Sequence, residues 1–325
     1  MENISAEEAA ERLFACCEEG APWRAELLDR LTAPDAGRAL FTGVIERLAD
    51  RFEPRLCDAY VELMADAIAR VIPDLHATHT IARYERVRRP RRFTGDVAAV
   101  RNVVVLSRVT LGADVAIASV MLDAAKRAFP NAVVYFAASL KSWELFAADP
   151  RLRRLAVEYS RGGSLRQRLE VWPRVRDEIA ALGPALVIDP DSRLTQLGLL
   201  PVCREEDYFF FESRAFEPDS PAPLSELAAR WANATFGVAD ARPFIATGLD
   251  APHYASTCSL GVGENPAKRV SDALERELVR MLPRPALVDT GAGSAERERA
   301  VAAVREAGAR PASFPTHRRG CCRRR

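Results

Sequence analysis

The loop between a short apolar segment and a helix-like segment holds the first residues that could do chemistry. Thr110, Gly112 and Asp114 supply a hydroxyl, a position without a side chain and a carboxylate. They follow Val103–Leu106, an apolar run typical of a buried parallel strand. Because open α/β sheets bind ligands where strand ends meet helix starts, this loop is the predicted ligand site. Asp114 also stands where Asp acts as a helix cap or dipole partner, and that role is the alternative.

Strand-like and helix-like segments alternate through the rest of the chain and must position this loop. The strand-like segments are 103–106, 132–138, 155–158, 185–189, 208–211, 255–260 and 286–289. The helix-like segments are 115–129, 140–147, 165–182, 224–236, 270–282 and 295–307. Pro173 predicts a kink or break in one of these helices. This alternation favours a parallel sheet covered on both faces.

The first 92 residues show helical patterns alone, with segments at 23–31, 36–52 and 54–72. Ser5 and Glu8 have the spacing of a capping box, so a helix is expected to begin after Ser5. We interpret this region as a helical bundle that packs on the next domain or on another subunit. The basic segment Arg83–Arg92 is either a patch for an anionic ligand or a nucleic acid, or a solvated linker. Pro90 and the lack of interleaved aromatic residues favour the linker.

Composition excludes several classes of protein. The 325 residues fit about two domains, and 48% apolar with 28% charged residues is ordinary for a globular protein. A net charge of +1 argues against a nucleic-acid-binding surface. The chain has neither a long apolar run nor a secretory signal pattern, so we expect a cytoplasmic protein. The seven cysteines and four histidines form no ligand pattern, and we expect reduced thiols and no metal.

Three segments carry a family resemblance. Ser107–Val115, together with the Phe-Pro-Asn-Ala junction at 129–132, resembles the opening of heptosyltransferase-like glycosyltransferases (glycosyltransferase family nine). In that family a strand leads into a Ser-x-x-Gly-Asp-Val turn and then a helix. Ser259–Arg269 is similar to the family's second signature, a glycine loop leading to Lys-Arg before a helix. Val288–Glu296 is similar to its next strand-to-glycine turn. The resemblance covers about residues 100 to 312.

The resemblance implies an α/β fold of GT-B-like type. Two Rossmann-like domains are expected, with the second incomplete and an all-helical N-terminal region before the first. The predicted limits are 1–95 for the helical region, 96–250 for the acceptor-side domain, 251–314 for the partial donor-side domain and 315–325 for a disordered or out-of-frame tail.

The resemblance also implies a reaction. A heptose-like sugar would pass from a nucleotide-diphosphate sugar to a hydroxyl of a glycan or lipopolysaccharide-type acceptor, with no metal or other cofactor. A carboxylate can deprotonate that hydroxyl, and backbone N–H groups with a cation can hold the leaving diphosphate. The implied residues are Asp114 as the base, Thr110 and Gly112 for the acceptor, and Gly261, Gly263, Asn265 and Lys268 for the donor phosphates.

Two departures from the family pattern bear on activity. Ala113 separates Gly112 from Asp114, and the second domain is shorter than the family's, so an inactive chain is an open expectation. The alternative is a non-catalytic relic or a partner-binding protein. An NAD(P)-binding oxidoreductase is disfavoured because neither glycine turn supplies Gly-x-Gly-x-x-Gly. Besides the nucleotide sugar and the acceptor, we expect a protein partner or self-association through the N-terminal helices, no nucleic acid, and peripheral contact with the inner membrane face.

Overall fold

The structure is a computed structural model that describes residues 4–51, 53–160, 162–248, 254–262, 268–289 and 294–308. The chain divides into two compact units, Met1–Gly248 and Leu249–Arg325. The predicted tail at 315–325 lies outside the described residues, and the other predicted domain limits stay predictions. None of the helices in the described part combines the length and the apolar composition needed to cross a bilayer.

The first unit begins with a layer of helices. They are α1 (Ala6–Glu19), α2 (Ala25–Thr32), α3 (Glu46–Asp50), α4 (Pro54–Val71) and α5 (Ala77–Val87). Ser5 caps α1 as predicted, since its hydroxyl accepts a hydrogen bond from the Glu8 N–H at 3.1 Å. The helix expected over 36–52 is shorter and irregular, because a π-helical turn, Phe41–Ile45, precedes α3. Gly43 lies in that turn, and a Cβ there would stand 2.6 Å from the Cβ of Ala10.

A five-stranded parallel sheet follows. Its strands are β1 (Asn102–Leu106), β2 (Val133–Ala138), β3 (Leu152–Ala156), β4 (Leu186–Asp189) and β5 (Tyr208–Phe210). The order is β3-β2-β1-β4-β5. Strands β2 and β3 therefore lie on one side of β1, and β4 and β5 lie on the other. The register pairs Val104 with Tyr135 of β2 and Val187 of β4. The switch point of this doubly wound sheet lies between β1 and β4.

Strand β1 shows why both faces of the sheet are covered. Val103 and Val105 join one hydrophobic core, whereas Val104 and Leu106 join the other. This alternation is the period of two that a strand imposes on its side chains. All four side chains are buried, which explains why the sequence reads as one continuous apolar run.

Helices cover each face of the sheet. Two short helices, α6 (Leu111–Ala113) and α8 (Leu140–Trp143), follow β1 and β2. The core with Val103 and Val105 includes residues of α7 (Ser119–Ala128) and α11 (Leu224–Phe236). The other core joins the N-terminal helices to the sheet, α9 (Leu165–Leu169) and α10 (Val171–Ala181). The N-terminal region therefore packs on the adjoining α/β domain, the first of the two predicted arrangements. A mixed α/β fold with a parallel sheet and an all-helical N-terminal region is confirmed.

Two elements of this unit, α10 and β3, can be compared with the bounds expected from the sequence. Pro173 lies in the first turn of α10, directly after the break from α9, as predicted. Strand β3 begins three residues earlier than the strand expected at 155–158. Arg153 and Arg154 interrupt its apolar pattern, and Arg154 Nε donates to the Ala138 carbonyl at 3.1 Å.

The interpretation of Arg83–Arg92 as a solvated linker is wrong. Arg83 is buried in α5, and its Nη1 donates to the Gly198 carbonyl at 2.6 Å. Arg88 forms an ion pair with Glu212 at 3.0 Å, and Arg91 Nη2 donates to the Tyr208 carbonyl at 3.0 Å. The positive charges of this segment therefore bind the carbonyls and the carboxylate at the β5 side of the sheet.

The second unit contains a βαβ arrangement. Strands β6 (Ser256–Ser259) and β7 (Ala286–Asp289) pair in parallel, and helices α12 (Asp272–Met281) and α13 (Ser294–Glu306) follow them. The Ser271 hydroxyl caps α12 by accepting from the Leu274 N–H at 3.3 Å. These elements agree with the strand and helix segments expected between 255 and 307.

Candidate functional site

A cavity of about 310 Å³ opens at the switch point of the first unit. Its walls come from the loops after β1, β4 and β5, from α9 and from the N-terminal helices. The predicted loop contributes Arg108, Val109 and Thr110 to the wall. The carboxyl ends of strands at a switch point are where open α/β sheets hold ligands. We call this cavity the arginine pocket, after the residues described next.

Four arginines line the arginine pocket, and each belongs to a different part of the fold. They are Arg108 after β1, Arg168 in α9, Arg193 after β4 and Arg214 after β5. The lining contains two acidic residues, Glu46 and Asp191. Guanidinium groups therefore outnumber carboxylates, and the pocket has a positive charge in a partly desolvated setting. Such a site favours a carboxylate or phosphate group.

Asp191 holds two of the arginines. Its Oδ2 accepts from the Ser213 hydroxyl at 2.6 Å and from Arg214 Nη1. Arg108 stands beside it, with Nη2 at 3.8 Å from Oδ2 and Nη1 donating to Ser213 Oγ at 2.9 Å. Burial lowers the pKa of the Arg108 guanidinium, and the Asp191 carboxylate acts in the opposite direction. One buried carboxylate thus fixes the positions of two cations.

The N-terminal helices touch the other two arginines. The Arg168 guanidinium carbon lies 3.6 Å from the centre of the Phe41 ring, and that of Arg193 lies 5.8 Å from the Tyr60 ring. Arg193 Nη1 is buried and has no hydrogen-bond partner among the residues that the structure describes. A buried donor without a partner is costly, so a ligand acceptor at this position would be bound favourably.

A strained loop borders the pocket. Val109 has φ +58°, in the left-handed region that is rare for a β-branched residue. The Ser107 hydroxyl supports this conformation by accepting from the Val109 N–H at 2.8 Å. Ser192 Oγ donates to the Ser107 carbonyl at 2.5 Å and so ties the loop after β4 to the loop after β1. Backbone strain of this kind concentrates at binding and catalytic sites.

A smaller cavity of about 70 Å³ adjoins the arginine pocket. Val109 and Tyr159 line both cavities, and Ser107 and Ser139 line the smaller one. The Tyr159 hydroxyl oxygen is buried and lacks a hydrogen-bond partner within the described ranges. The two cavities together offer cationic groups on one side and hydroxyl groups on the other.

Asp114 lies beneath the loop and does not line the arginine pocket. It is fully buried, and its carboxylate accepts from the Ser107 hydroxyl at 2.8 Å and from the Arg108 N–H at 2.7 Å. Burial raises the pKa of Asp114, while hydrogen bonds from Ser142, Ser107 and the Arg108 backbone act to lower it. The carboxylate therefore bonds to the loop before it, rather than capping the N–H groups of its own helix. Its role as a base stays a prediction.

A second buried carboxylate lies at the end of β4. Asp189 accepts from the Tyr208 hydroxyl at 2.6 Å, the Thr195 hydroxyl at 2.5 Å and the Ser192 N–H at 2.6 Å. Burial raises its pKa to about 6, against those three hydrogen bonds. Asp189 does not line the arginine pocket, so it supports the loop after β4 from below.

The other predicted site residues fall in different places. Thr110 lines the arginine pocket and is exposed. Gly112 is also exposed, and a Cβ there would meet no atom within 4 Å. In the second unit, Gly261 is half-buried after β6 and Lys268 is exposed. Gly263 and Asn265 lie outside the described residues. Within the described ranges, no group of three or more His, Cys, Asp or Glu could hold a metal ion.

Sequence reasoning missed the arginines of the pocket. Arg108 lies inside the motif Ser107–Val115, but the resemblance implies no role for it, and no motif contains Arg168, Arg193 or Arg214. The sequence signal that could have found two of them is their position, since Arg193 and Arg214 follow closely after strand-like segments. Asp191 follows the strand-like segment 185–189, where a carboxylate can face a cleft, and it does line the pocket.

The fold and the pocket define a doubly wound α/β protein with an arginine-lined pocket at its switch point. No protein-family model matches the chain, and no curated protein matches it either. Among solved structures, a glycosyl transferase family 9 protein from Veillonella parvula matches with a TM-score of 0.47 and 15% identity, over 67% of this chain and 69% of that one. Escherichia coli heptosyltransferase WaaC with ADP matches with a TM-score of 0.41 and 12% identity, over 63% of this chain and 72% of that one. Both are glycosyltransferases, the class that the motifs resemble, but at these TM-scores the similarity assigns no function by itself.

Proposed function

We propose that the chain is a heptosyltransferase-like glycosyltransferase whose first unit binds an anionic acceptor. The arginine pocket carries this proposal, because four guanidinium groups converge at the switch point beside the loop with the family motif. An acidic sugar or a sugar phosphate would place its anionic group among the arginines. Bidentate guanidinium contacts suit carboxylates and phosphates alike.

The neutral part of the acceptor would enter the smaller cavity. Ser107, Ser139 and Tyr159 line it, and the buried Tyr159 hydroxyl has no hydrogen-bond partner among the described residues. A sugar hydroxyl matches these groups, since it can both donate and accept. This placement puts a hydroxyl of the acceptor beside Ser107.

Ser107 links that hydroxyl to Asp114. In the proposed transfer, the acceptor oxygen attacks the anomeric carbon of a nucleotide-diphosphate sugar. The bond between that carbon and the diphosphate oxygen breaks. The acceptor proton passes to Ser107 Oγ while the Ser107 proton passes to the Asp114 carboxylate, 2.8 Å away. The leaving nucleotide diphosphate keeps the bonding electrons. The raised pKa of Asp114 suits a group that must take up a proton.

The donor would be held in the second unit. Gly261 and Lys268 are the described residues proposed for its phosphates, with Gly263 and Asn265 carried by the sequence motif alone. Backbone N–H groups and a lysine are general partners of a diphosphate. We propose no metal for this reaction, because the cationic side chains can stabilise the leaving group.

Binding measurements test the proposal. Glucuronate and glucose 6-phosphate should each raise the melting temperature of the protein, whereas neutral glucose should not. In the same assay, one of ADP-, UDP- or GDP-glucose should raise it and NAD(P) should not. A flat response to both acidic sugars and to all nucleotide sugars would refute the proposal, and a response to NAD(P) alone would indicate an oxidoreductase.

Turnover measurements test the proton path. With a nucleotide sugar that binds, Asp114→Asn and Ser107→Ala should each lower the transfer rate by about 100-fold, the low end of general-base effects. Ser119→Ala is the matched control and should leave the rate unchanged, because Ser119 is a buried serine of the same unit that lines neither cavity. Normal turnover in Asp114→Asn would leave that carboxylate a purely structural role.

A further inference from the structure

Three of the four pocket arginines touch the N-terminal helical region, which lies outside the family resemblance. Phe41 stacks on Arg168, and Tyr60 faces Arg193. The Ala49 carbonyl accepts from Arg214 Nε at 3.1 Å. Phe41 and Glu46 of this region line the pocket itself, whereas Tyr60 and Ala49 contact its arginines without lining it.

We infer that the N-terminal helical region forms one wall of the arginine pocket, helps to position its cations and so raises its affinity for anions. The inference rests on the proposed function, because it assigns the region to the same acceptor pocket. Phe41 is the main positioning residue. It acts on the ligand through Arg168.

The geometry at Phe41 supports this role. Its ring is buried, and the guanidinium carbon of Arg168 lies 3.6 Å from the ring centre, within the range of a cation–π contact. The ring contact restrains the Arg168 guanidinium, and Arg168 is one of the residues that line the pocket. Phe41 also begins the π-helical turn Phe41–Ile45, a local irregularity that is frequent at functional sites. A regular helix would place this ring differently relative to α9.

The chain supplies a matched control for the contact. Phe14 of α1 is equally buried, and the Arg47 guanidinium carbon also lies 3.6 Å from its ring centre. Neither Phe14 nor Arg47 lines the arginine pocket. Phe14→Leu therefore removes the same kind of contact from the same helical layer, away from the pocket.

The experiment compares Phe41→Leu and Phe14→Leu with the unmodified protein in titrations with glucuronate and with glucose 6-phosphate. Both variants should lose a similar amount of thermal stability. Phe41→Leu alone should bind the acidic sugars more weakly, by about threefold to tenfold, as expected for loss of a cation–π contact. Its affinity should also depend less steeply on salt concentration, because one cation no longer faces the ligand.

Each outcome decides the inference. Equal affinity and equal salt dependence in Phe41→Leu and the unmodified protein would overturn it while leaving the proposed function standing. Equal loss of affinity in Phe41→Leu and Phe14→Leu would also overturn it, because the loss would then result from lower stability rather than from the contact with Arg168. If the unmodified protein binds neither sugar, the proposed function fails and the inference fails with it. Phe41→Met, whose unbranched side chain adapts more readily to the space of the ring, replaces Phe41→Leu if the latter does not fold.

Discussion

Replacing Asp191 by Asn should weaken the fold and strengthen the response to anions at the same time. The carboxylate is 3% exposed and contacts Arg214 and Arg108, so the substitution leaves two buried cations without their counter-ion. Asn has the same shape, and it tolerates the left-handed backbone at this position, where φ is +68°. The substitution therefore tests charge rather than packing.

The expected loss of stability in Asp191→Asn follows from the groups around Asp191. Removing one partner of a buried ion pair costs about 3–5 kcal/mol. The new amide oxygen still accepts from the Ser213 hydroxyl, and both arginines border an open pocket, so we expect the lower end, about 3 kcal/mol. For a unit of this size, each kcal/mol lowers the melting temperature by about 2–4 °C. The expected fall is then roughly 6–12 °C.

The assay is thermal unfolding at increasing sulfate, with ionic strength held constant by sodium chloride. Sulfate can supply the missing negative charge between Arg108 and Arg214, and a ligand that binds the folded state stabilises it in proportion to its occupancy. Sulfate should therefore raise the melting temperature of Asp191→Asn more than that of the unmodified protein. Asp189→Asn is the control, since Asp189 is buried nearby but bonds to hydroxyl and N–H groups, with no arginine among its hydrogen-bond partners in the described structure. An equal sulfate response in all three proteins would refute the assignment of Asp191 as the counter-ion of the pocket.

Two further predictions concern single groups. Arg193→Gln should weaken glucose 6-phosphate binding by about tenfold, because a charge-assisted contact is lost. Its stability should change little. Arg204→Gln, at an exposed position, should leave binding unchanged. Titration calorimetry separates the two variants. Burial raises the pKa of Asp189 from 3.8 to about 6, so the folded state holds more protons than the unfolded state between these values. The free energy of unfolding should fall by about 3 kcal/mol as pH rises through that window, and Asp189→Asn should lack this part of the decline in urea titrations. An identical pH dependence in both proteins would contradict the raised pKa.

The elements of the fold were predictable where the local pattern is strong. The apolar run at 103–106, its polar turn and the helical spacing after it predict a buried strand in a βα unit, and the structure contains that unit. Strand β3 was misplaced because an edge strand tolerates Arg153 and Arg154, which break the apolar pattern. The π-helical turn at Phe41–Ile45 could not be predicted, because it depends on the close approach of Gly43 to Ala10.

The pocket was less predictable than the fold. Its cations are spaced along the chain from Arg108 to Arg214, and only the order of the strands brings them together. The chain is also rich in arginine, so no single guanidinium stands out in the sequence. The burial of Asp114 depends on how the Ser107 loop folds back over it, which the motif does not specify. A linear motif can indicate which loop matters without showing which of its atoms face the ligand.

The shared core between the N-terminal helices and the sheet has a consequence for synthesis on the ribosome. Helices α1–α5 are made first, and the apolar side chains they bury against the sheet find their partners only when β1 and β4 have emerged. The chain from Val87 to Asp189 takes roughly 5–20 s to synthesise at about 5–20 residues per second. During that interval an amphipathic helical layer lies open to chaperones and to other nascent chains. The order of elements therefore makes completion of the arginine pocket a late step of folding, because its last strands join the sheet after the helical layer has been made.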